Sequence, residues 1–280
     1  MSPSPAAVRP LSSPPPDRIA AAFSRCRAEK RSALITYVMA HDPDFEGSLA
    51  IARACLEGGA DLLELGSPFS DPVADGPVIQ RAGERALASG GTLAATLKLA
   101  SLLRADWQTP IAVMTYANPV YSQGERRFAQ ACRRAGVDAA LIPDLPPEES
   151  VTLRAACAAE GVCVPSFLTP VSTPDRRAAA CAAATGFLYF VTVTGVTGAR
   201  RALPSDLGPL IAQAREQSPV PVVIGFGVSE PAQARKLSRI AEGVVVGSAI
   251  VARAAESGSL KARARRVRDF VRSLREALEP

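Results

Sequence analysis

Eight short apolar runs recur along the chain, each followed by polar turn residues and then by an alanine-rich segment with helical spacing. They are ALITYVMA (33–40), LLELG (62–66), PIAVMTY (110–116), AALIPDL (139–145), VCVPSFL (162–168), GFLYFVT (186–192), PVVIGFG (221–227) and EGVVVGS (242–248). A near-continuous apolar run belongs to a strand buried on both faces. Parallel strands covered by helices achieve this, and antiparallel hairpins do not. The connections therefore carry helices, expected over 46–57, 93–104, 126–135, 148–160, 174–184, 205–217, 230–239 and 249–255, with a terminal helix after them. One further helix precedes the first strand, from Asp17, a candidate N-cap, to about Lys30.

Two architectures accommodate eight strand–helix units. An open doubly wound sheet is one, and a closed (β/α)8 barrel, which needs roughly 250 residues, is the other. The units are near equal in length, and no Pro-rich or charged linker interrupts the 280-residue chain after residue 16. The sequence thus predicts a single (β/α)8 TIM barrel over residues 17–280 with an extra N-terminal helix. The opening MSPSPAAVRPLSSPPP (1–16) is expected to be a disordered tail, since its prolines deny it helix and ladder donors. Its serine content and lack of acids leave organelle targeting open.

Composition narrows the function classes. A formal charge of +5 arises from many arginines offset by nearly as many acids. The densest basic run, Lys261 to Arg275, repeats apolar residues at Val267, Phe270, Val271 and Leu274. That is the face of an amphipathic outer helix rather than a nucleic-acid surface. The six cysteines form no CxxC and sit among alanines and leucines, as small hydrophobes do in a reducing compartment. No apolar run reaches the ~18 residues of a membrane span, so the expectation is a cytoplasmic protein with neither membrane nor nucleic acid as partner. A single histidine, His41, cannot supply a His-based metal site, and HExxH, GxSxG and GxGxxG are absent. No strand run holds a lysine for a Schiff base.

Three constellations remain. Glu64 lies between leucines in the second run; a carboxylate buried there costs several kcal/mol unless paired or used. Inside the barrel near its upper rim it becomes a candidate acid or base whose pKa the apolar walls raise. The loop GSPFSDPVADGPVIQ (66–80) follows at once and brings Asp71 and Asp75. Asp-Pro and Asp-Gly are ordinary turn chemistry, yet this loop could fold over the mouth and set Asp75 opposite Glu64, giving an acid and a base in one site. Third, glycines follow the last three strands: Gly195 and Gly198, Gly225 and Gly227, then Gly247-Ser248 opening a helix. Backbone N–H groups at such places bind phosphate.

LELGSPFSDPVADGPVIQ, MTYANPVY (114–121), PDLPPEES (143–150), VTGVTGAR (193–200) and GFGVS (225–229) resemble, in order and spacing, the alpha subunit of tryptophan synthase, from about residue 17 to the final helix. The resemblance implies retro-aldol cleavage of indole-3-glycerol phosphate to indole and glyceraldehyde 3-phosphate, without metal or organic cofactor. It implies that Glu64 protonates indole C3, that Asp75 accepts the indole N–H, and that Tyr189 stands near the glutamate. It places Gly198, Gly225, Gly227, Gly247 and Ser248 around the phosphate and Phe226, Tyr116 and Met114 along the indole pocket. Asp71, Asn118, Asp144 and Thr197 match loop-closure and partner-contact positions. The implied partner is a beta subunit in an alpha-beta-beta-alpha heterotetramer; pyridoxal phosphate belongs to that subunit. One departure is His41, where the family usually has glycine.

Two other readings share these residues. A freestanding indole-glycerol phosphate lyase would differ only in loop dynamics and partner surface. A catalytically idle barrel that merely activates a partner is disfavoured by retention of both Glu64 and Asp75, since idle buried carboxylates are costly.

Overall fold

The structure, a computed structural model, describes residues 17–192, 207–225 and 227–280. The first half of the chain forms α1 (Arg18–Ala28), β1 (Ala33–Met39), α2 (Phe45–Glu57), β2 (Leu62–Gly66), α3 (Pro77–Ala88), α4 (Leu93–Asp106), β3 (Ile111–Met114), α5 (Ala117–Gln123), α6 (Glu125–Ala135) and β4 (Ala139–Leu141). The second half forms α7 (Val151–Ala159), β5 (Ser166–Leu168), α8 (Pro174–Ala183), β6 (Leu188–Val191), α9 (Leu207–Gln217), β7 (Val222–Gly225), α10 (Pro231–Ser238), β8 (Gly243–Val246), α11 (Ser248–Ala255) and α12 (Leu260–Ala277). A strand falls within each of the eight apolar runs.

The sheet runs β4-β3-β2-β1-β8-β7-β6-β5 with every pair parallel. It closes where Ala139 pairs with Cys163, just ahead of β5; the Ala140 N–H donates to the Cys163 carbonyl at 2.9 Å. The eight strands thus form a (β/α)8 barrel. Helix starts follow local chemistry: Asp17, Asp44, Thr92, Thr173 and Ser259 each accept a backbone N–H of the first turn. Gly136, with φ +72°, ends α6 in the left-handed conformation that glycine tolerates.

Two helices are not expected from the sequence. Residues 77–88, of which 77–80 read as loop, form α3, with Gly76 as cap and Pro77 at the first helical position. ANPVYSQ, given no element from the sequence and holding the contact candidate Asn118, is the seven-residue α5. Residues 1–16 together with Gly195, Thr197, Gly198 and Phe226 lie outside the described residues. Among the described residues, no single helix is long and apolar enough to cross a membrane.

Alternation along the strands separates two cores. Outward residues such as Leu34, Val38, Leu63, Leu65 and Val113 pack against the helices. Inward residues Ala33, Ile35, Leu62, Ala112, Ala139, Leu141, Val223 and Val245 fill the barrel, and Ile19, Phe23 and Cys26 of α1 plug its lower end. The extra N-terminal helix is therefore a bung. It leaves the next inward layer, at Tyr37, Glu64, Met114 and Tyr189, to form the floor of the opposite mouth.

The lower end is pinned by two aspartates at strand starts. Asp61 binds Arg31 at 2.8 Å and Arg25 at 3.0 Å and accepts the Leu34 N–H at 3.0 Å. Asp138 binds Arg104 at 2.6 Å and Arg18 at 3.1 Å and accepts the Ile111 N–H at 2.8 Å. Burial raises the Asp61 pKa, but the donors from Arg31 and Leu34 outweigh it and hold the carboxyl below its ordinary range. A depressed folded pKa means stabilisation at neutral pH that is lost as the pH falls through the acid range. Asp61→Asn is expected to cost about 3 kcal/mol, because it leaves buried Arg31 short of its main partner. Urea denaturation checks this: the loss should be large at pH 7, should shrink toward pH 3, and should leave kcat per folded molecule unchanged.

Candidate active site

Glu64 points into the barrel from β2, flanked in register by Tyr37 of β1 and Ala112 of β3. It is 1% exposed, and its Oε2 has no hydrogen-bond partner among the described residues. Among the described residues, no arginine or lysine pairs with it. Burial, then the charge of Asp75, pushes its carboxyl up to about 8. At neutral pH Glu64 is mostly a protonated acid with a proton to give.

Asp75 comes from the loop after the same strand and is also buried. Its N–H donates to the Pro72 carbonyl at 3.0 Å, closing the turn, and its carbonyl accepts from Gln80 Nε2 at 2.9 Å. Burial lifts its carboxyl to about 6, with a hydrogen bond from the Tyr116 hydroxyl working the other way. The two carboxylates therefore differ in acidity: near pH 7 Glu64 holds its proton and Asp75 has lost its own.

Tyr116, expected as a pocket wall, does more. Its hydroxyl accepts the Ala74 N–H at 3.2 Å, and its ring stacks on Phe69 with centroids 5.3 Å apart. The tyrosine after β3 thus clips the loop that carries Asp75. Met114, at the end of β3, touches both the barrel filling and the layer of Tyr37 and Met39 above it.

Tyr189 of β6 has its hydroxyl pKa raised well above the usual value, by burial and then by the charges of Glu64 and Asp75. Its ring packs against Phe167 at 5.3 Å and lies over Gly225, where a Cβ would stand 2.6 Å from ring carbon Cε1. Glycine at 225 is therefore a requirement of packing inside the barrel. Gly225 ends β7, Gly247 follows the neighbouring β8, and Ser248 starts α11, so these three and the exposed Gly227 share one rim of the mouth. The N–H groups of Ile250 and Val251 close back on the Gly247 carbonyl at 2.8 and 3.0 Å, which leaves the first N–H groups of α11 at that rim.

The partner-contact candidates sit on the same end of the barrel. Asp71 is exposed in the loop after β2 and accepts the Ser70 hydroxyl at 2.5 Å. Asn118 is exposed in the first turn of α5. Asp144 receives the Ala117 N–H on both oxygens, at 2.9 and 3.2 Å, and so caps α5 from the loop after β4.

Sequence reasoning missed Tyr37. Its ring occupies the space over Gly66, where an added Cβ would overlap the hydroxyl, and Gly247 packs on its other side. Burial, then Asp75 and Glu64, raise its hydroxyl pKa well above the usual value. An aromatic in an apolar run reads as core, and only the pairing of β1 with β2, which sets Tyr37 beside Glu64, shows that it belongs to the mouth.

Fold and site together define a (β/α)8-barrel enzyme with two buried carboxylates of unlike acidity at its mouth and a glycine-lined rim beside them. The profile of the tryptophan synthase alpha chain family matches residues 23–279. The alpha chain of Geobacter sulfurreducens is 45% identical over 266 residues, covering 93% of this chain and 98% of its own. That of Citrifermentans bemidjiense is 47% identical over 84% of this chain and 88% of its own. A solved tryptophan synthase from Mycobacterium tuberculosis superposes with a TM-score of 0.86 at 36% identity, over 94% of this chain and 98% of that one. The chain belongs to the tryptophan synthase alpha chain family.

Proposed function

We infer that the chain is the alpha subunit of a tryptophan synthase, a carbon–carbon lyase that splits indole-3-glycerol phosphate into indole and glyceraldehyde 3-phosphate. The observation that carries the reading is the divergence of two neighbouring carboxyls, one pushed to about 8 and the other to about 6. Breaking a bond to an aromatic carbon needs a proton on that carbon and a base for the other fragment. Glu64 supplies the proton to indole C3. The resulting carboxylate takes the proton of the hydroxyl on the adjacent side-chain carbon, that carbon becomes the aldehyde, and the bonding electrons return to the ring. Glu64 ends as it began, protonated.

Asp75 accepts the indole N–H and stabilises the positive ring formed on C3 protonation. Tyr116 and Met114 wall the ring, a role the resemblance also gives Phe226, and Tyr189 stands near Glu64. Gly225, Gly227, Gly247 and Ser248, joined by Gly198, hold the phosphate. The steps are two proton transfers and a carbon–carbon cleavage whose bonding electrons return to the protonated ring, so the alpha reaction requires no organic cofactor of its own; pyridoxal phosphate serves the partner.

The partner surface is the end of the barrel where Asp71, Asn118 and Asp144 lie; the resemblance assigns Thr197 to it as well. Val73, Tyr121, Val151 and Val171, which follow β2 to β5 in turn, are among the exposed large apolar residues, Val73 at 75% and Val171 at 73%. A beta subunit seated there, in an alpha-beta-beta-alpha assembly, would cover this apolar arc and shut the loop of Asp75 over substrate. A freestanding lyase is not favoured, since relatives named as alpha chains match the chain nearly end to end.

The pair dictates a pH profile. Activity needs Asp75 ionised and Glu64 protonated, so kcat should rise through about pH 6, peak near 7 and fall through about 8. Measured on the alpha–beta complex with saturating substrate, a bell of that form supports the pair. A rate flat from pH 5.5 to 8.5 overturns it.

A further inference from the structure

The turn between β1 and α2 grips the helix that follows Asp75. Ser89, just past the end of α3, donates its hydroxyl to the His41 carbonyl at 2.9 Å. One turn earlier, Arg85 binds both oxygens of Asp42, through Nε at 2.8 Å and Nη2 at 2.7 Å. The turn is held in shape to aim that carboxylate: His41 takes φ +65°, its N–H donates to Ser48 Oγ at 3.0 Å, and its ring stands edge-on to Phe45 at 5.2 Å. Asp42 itself is buried.

The other end of α3 touches the site. The Gln80 side chain donates to the Asp75 carbonyl, and the Gln80 N–H closes on Gly76 at 2.9 Å. Between the two ends, α3 meets the barrel through Ile79, Ala82 and Ala86, packed with Tyr37, Met39 and Val251. Such a face fixes how far a helix stands from its neighbour. Small residues in a row resist sliding along the axis poorly, whereas a two-bond guanidinium–carboxylate fork is directional.

We propose that Asp42 and Arg85 are a positioning pair for the lyase reaction: their fork sets the axial register of α3 and thereby, through Gln80 and the Gly76 cap, the place of Asp75 against Glu64. The proposal rests on Asp75 acting as inferred above. It gives the pair a task in turnover beyond neutralising a buried charge.

The test uses the alpha–beta complex carrying Asp42→Asn, Arg85→Met or both. The double variant leaves no orphaned charge, so a pair that only neutralises charge would be restored to full turnover by it. A positioning pair loses its fork in all three, and the three losses should be alike rather than additive. The expected result is kcat lowered about 10- to 100-fold in each, KM within about two-fold, and the acid limb moved below pH 6 as Asp75 gains solvent. Amide exchange should quicken over residues 72–80 and stay unchanged in the strands. Unchanged exchange in that segment, or a double variant with wild-type kcat, overturns the proposal. Asp75→Asn run beside them separates the two failures: wild-type turnover in that variant removes the role of Asp75 itself, whereas wild-type turnover confined to the fork variants removes only the pair.

Discussion

Replacing Glu64 by glutamine is expected to lower indole formation by about 10³-fold while raising the resistance of the fold to alkaline pH. The first half follows from the absence of a substitute. Asp75 is ionised when Glu64 is protonated, and the tyrosine hydroxyls nearby have been driven away from titration by burial and by the two carboxylates. The second half follows from linkage. A carboxyl raised from about 4.5 to about 8 is disfavoured in its charged form by the fold, so stability declines as pH rises between those values, by up to about 3 kcal/mol at pH 7. Glutamine carries no charge to bury. Its melting temperature should match the wild type near pH 4.5 and exceed it progressively toward pH 8, despite one buried amide to satisfy. A variant that is inactive and equally destabilised at every pH would show that Glu64 is a packing residue.

Asp75→Asn should reduce kcat by about 10²- to 10³-fold with KM nearly constant, because it keeps a hydrogen-bond acceptor for the indole N–H but removes the charge that meets the developing cation. The acid limb of the pH profile should vanish with it, since the group rising to about 6 is gone. The loop should hold: its clips are backbone and Tyr116 contacts, the Asp75 N–H to Pro72 and the Ala74 N–H to Tyr116. A variant with wild-type kcat and an intact acid limb would return Asp75 to the status of a turn residue. A raised KM at unchanged kcat would make it a substrate-binding group alone.

The barrel was legible because its strands announce themselves. An apolar run needs no alternation when helices cover one face and barrel filling covers the other, and eight such runs leave few arrangements. Glu64 was legible as a charge set between leucines in the middle of such a run, and the rim glycines as a cluster after the final strands. What escaped did so for local reasons. The whole of α3 hides behind Asp-Gly-Pro, which reads as turn; α5 is only seven residues with a proline inside. Tyr37 passes for core because its ring is core and only its hydroxyl is not. The cap that Asp144 gives α5 joins residues 27 positions apart, which no short-range pattern encodes. Thr197 and Phe226 entered on resemblance and Gly198 as one of the loop glycines, and all three lie outside the described residues.

The same physics links stability and chemistry across the barrel. Asp61 and Asp138, at the lower end, are met by arginines and backbone donors and hold the strands in register. Glu64, at the upper end, is left without such partners, and that isolation makes it an acid at neutral pH. Asp61, held below its ordinary range, stabilises the fold at neutral pH, whereas Glu64, held above it, destabilises the fold.

The most direct measurement is indole release from indole-3-glycerol phosphate by the purified full chain, alone and with a tryptophan synthase beta subunit. The expected result is slow release from the chain alone and a steep rise on adding the partner, as the loop of Asp75 closes beneath it. Absence of indole under both conditions, from a folded chain, would contradict the central claim that Glu64 and Asp75 cleave this substrate.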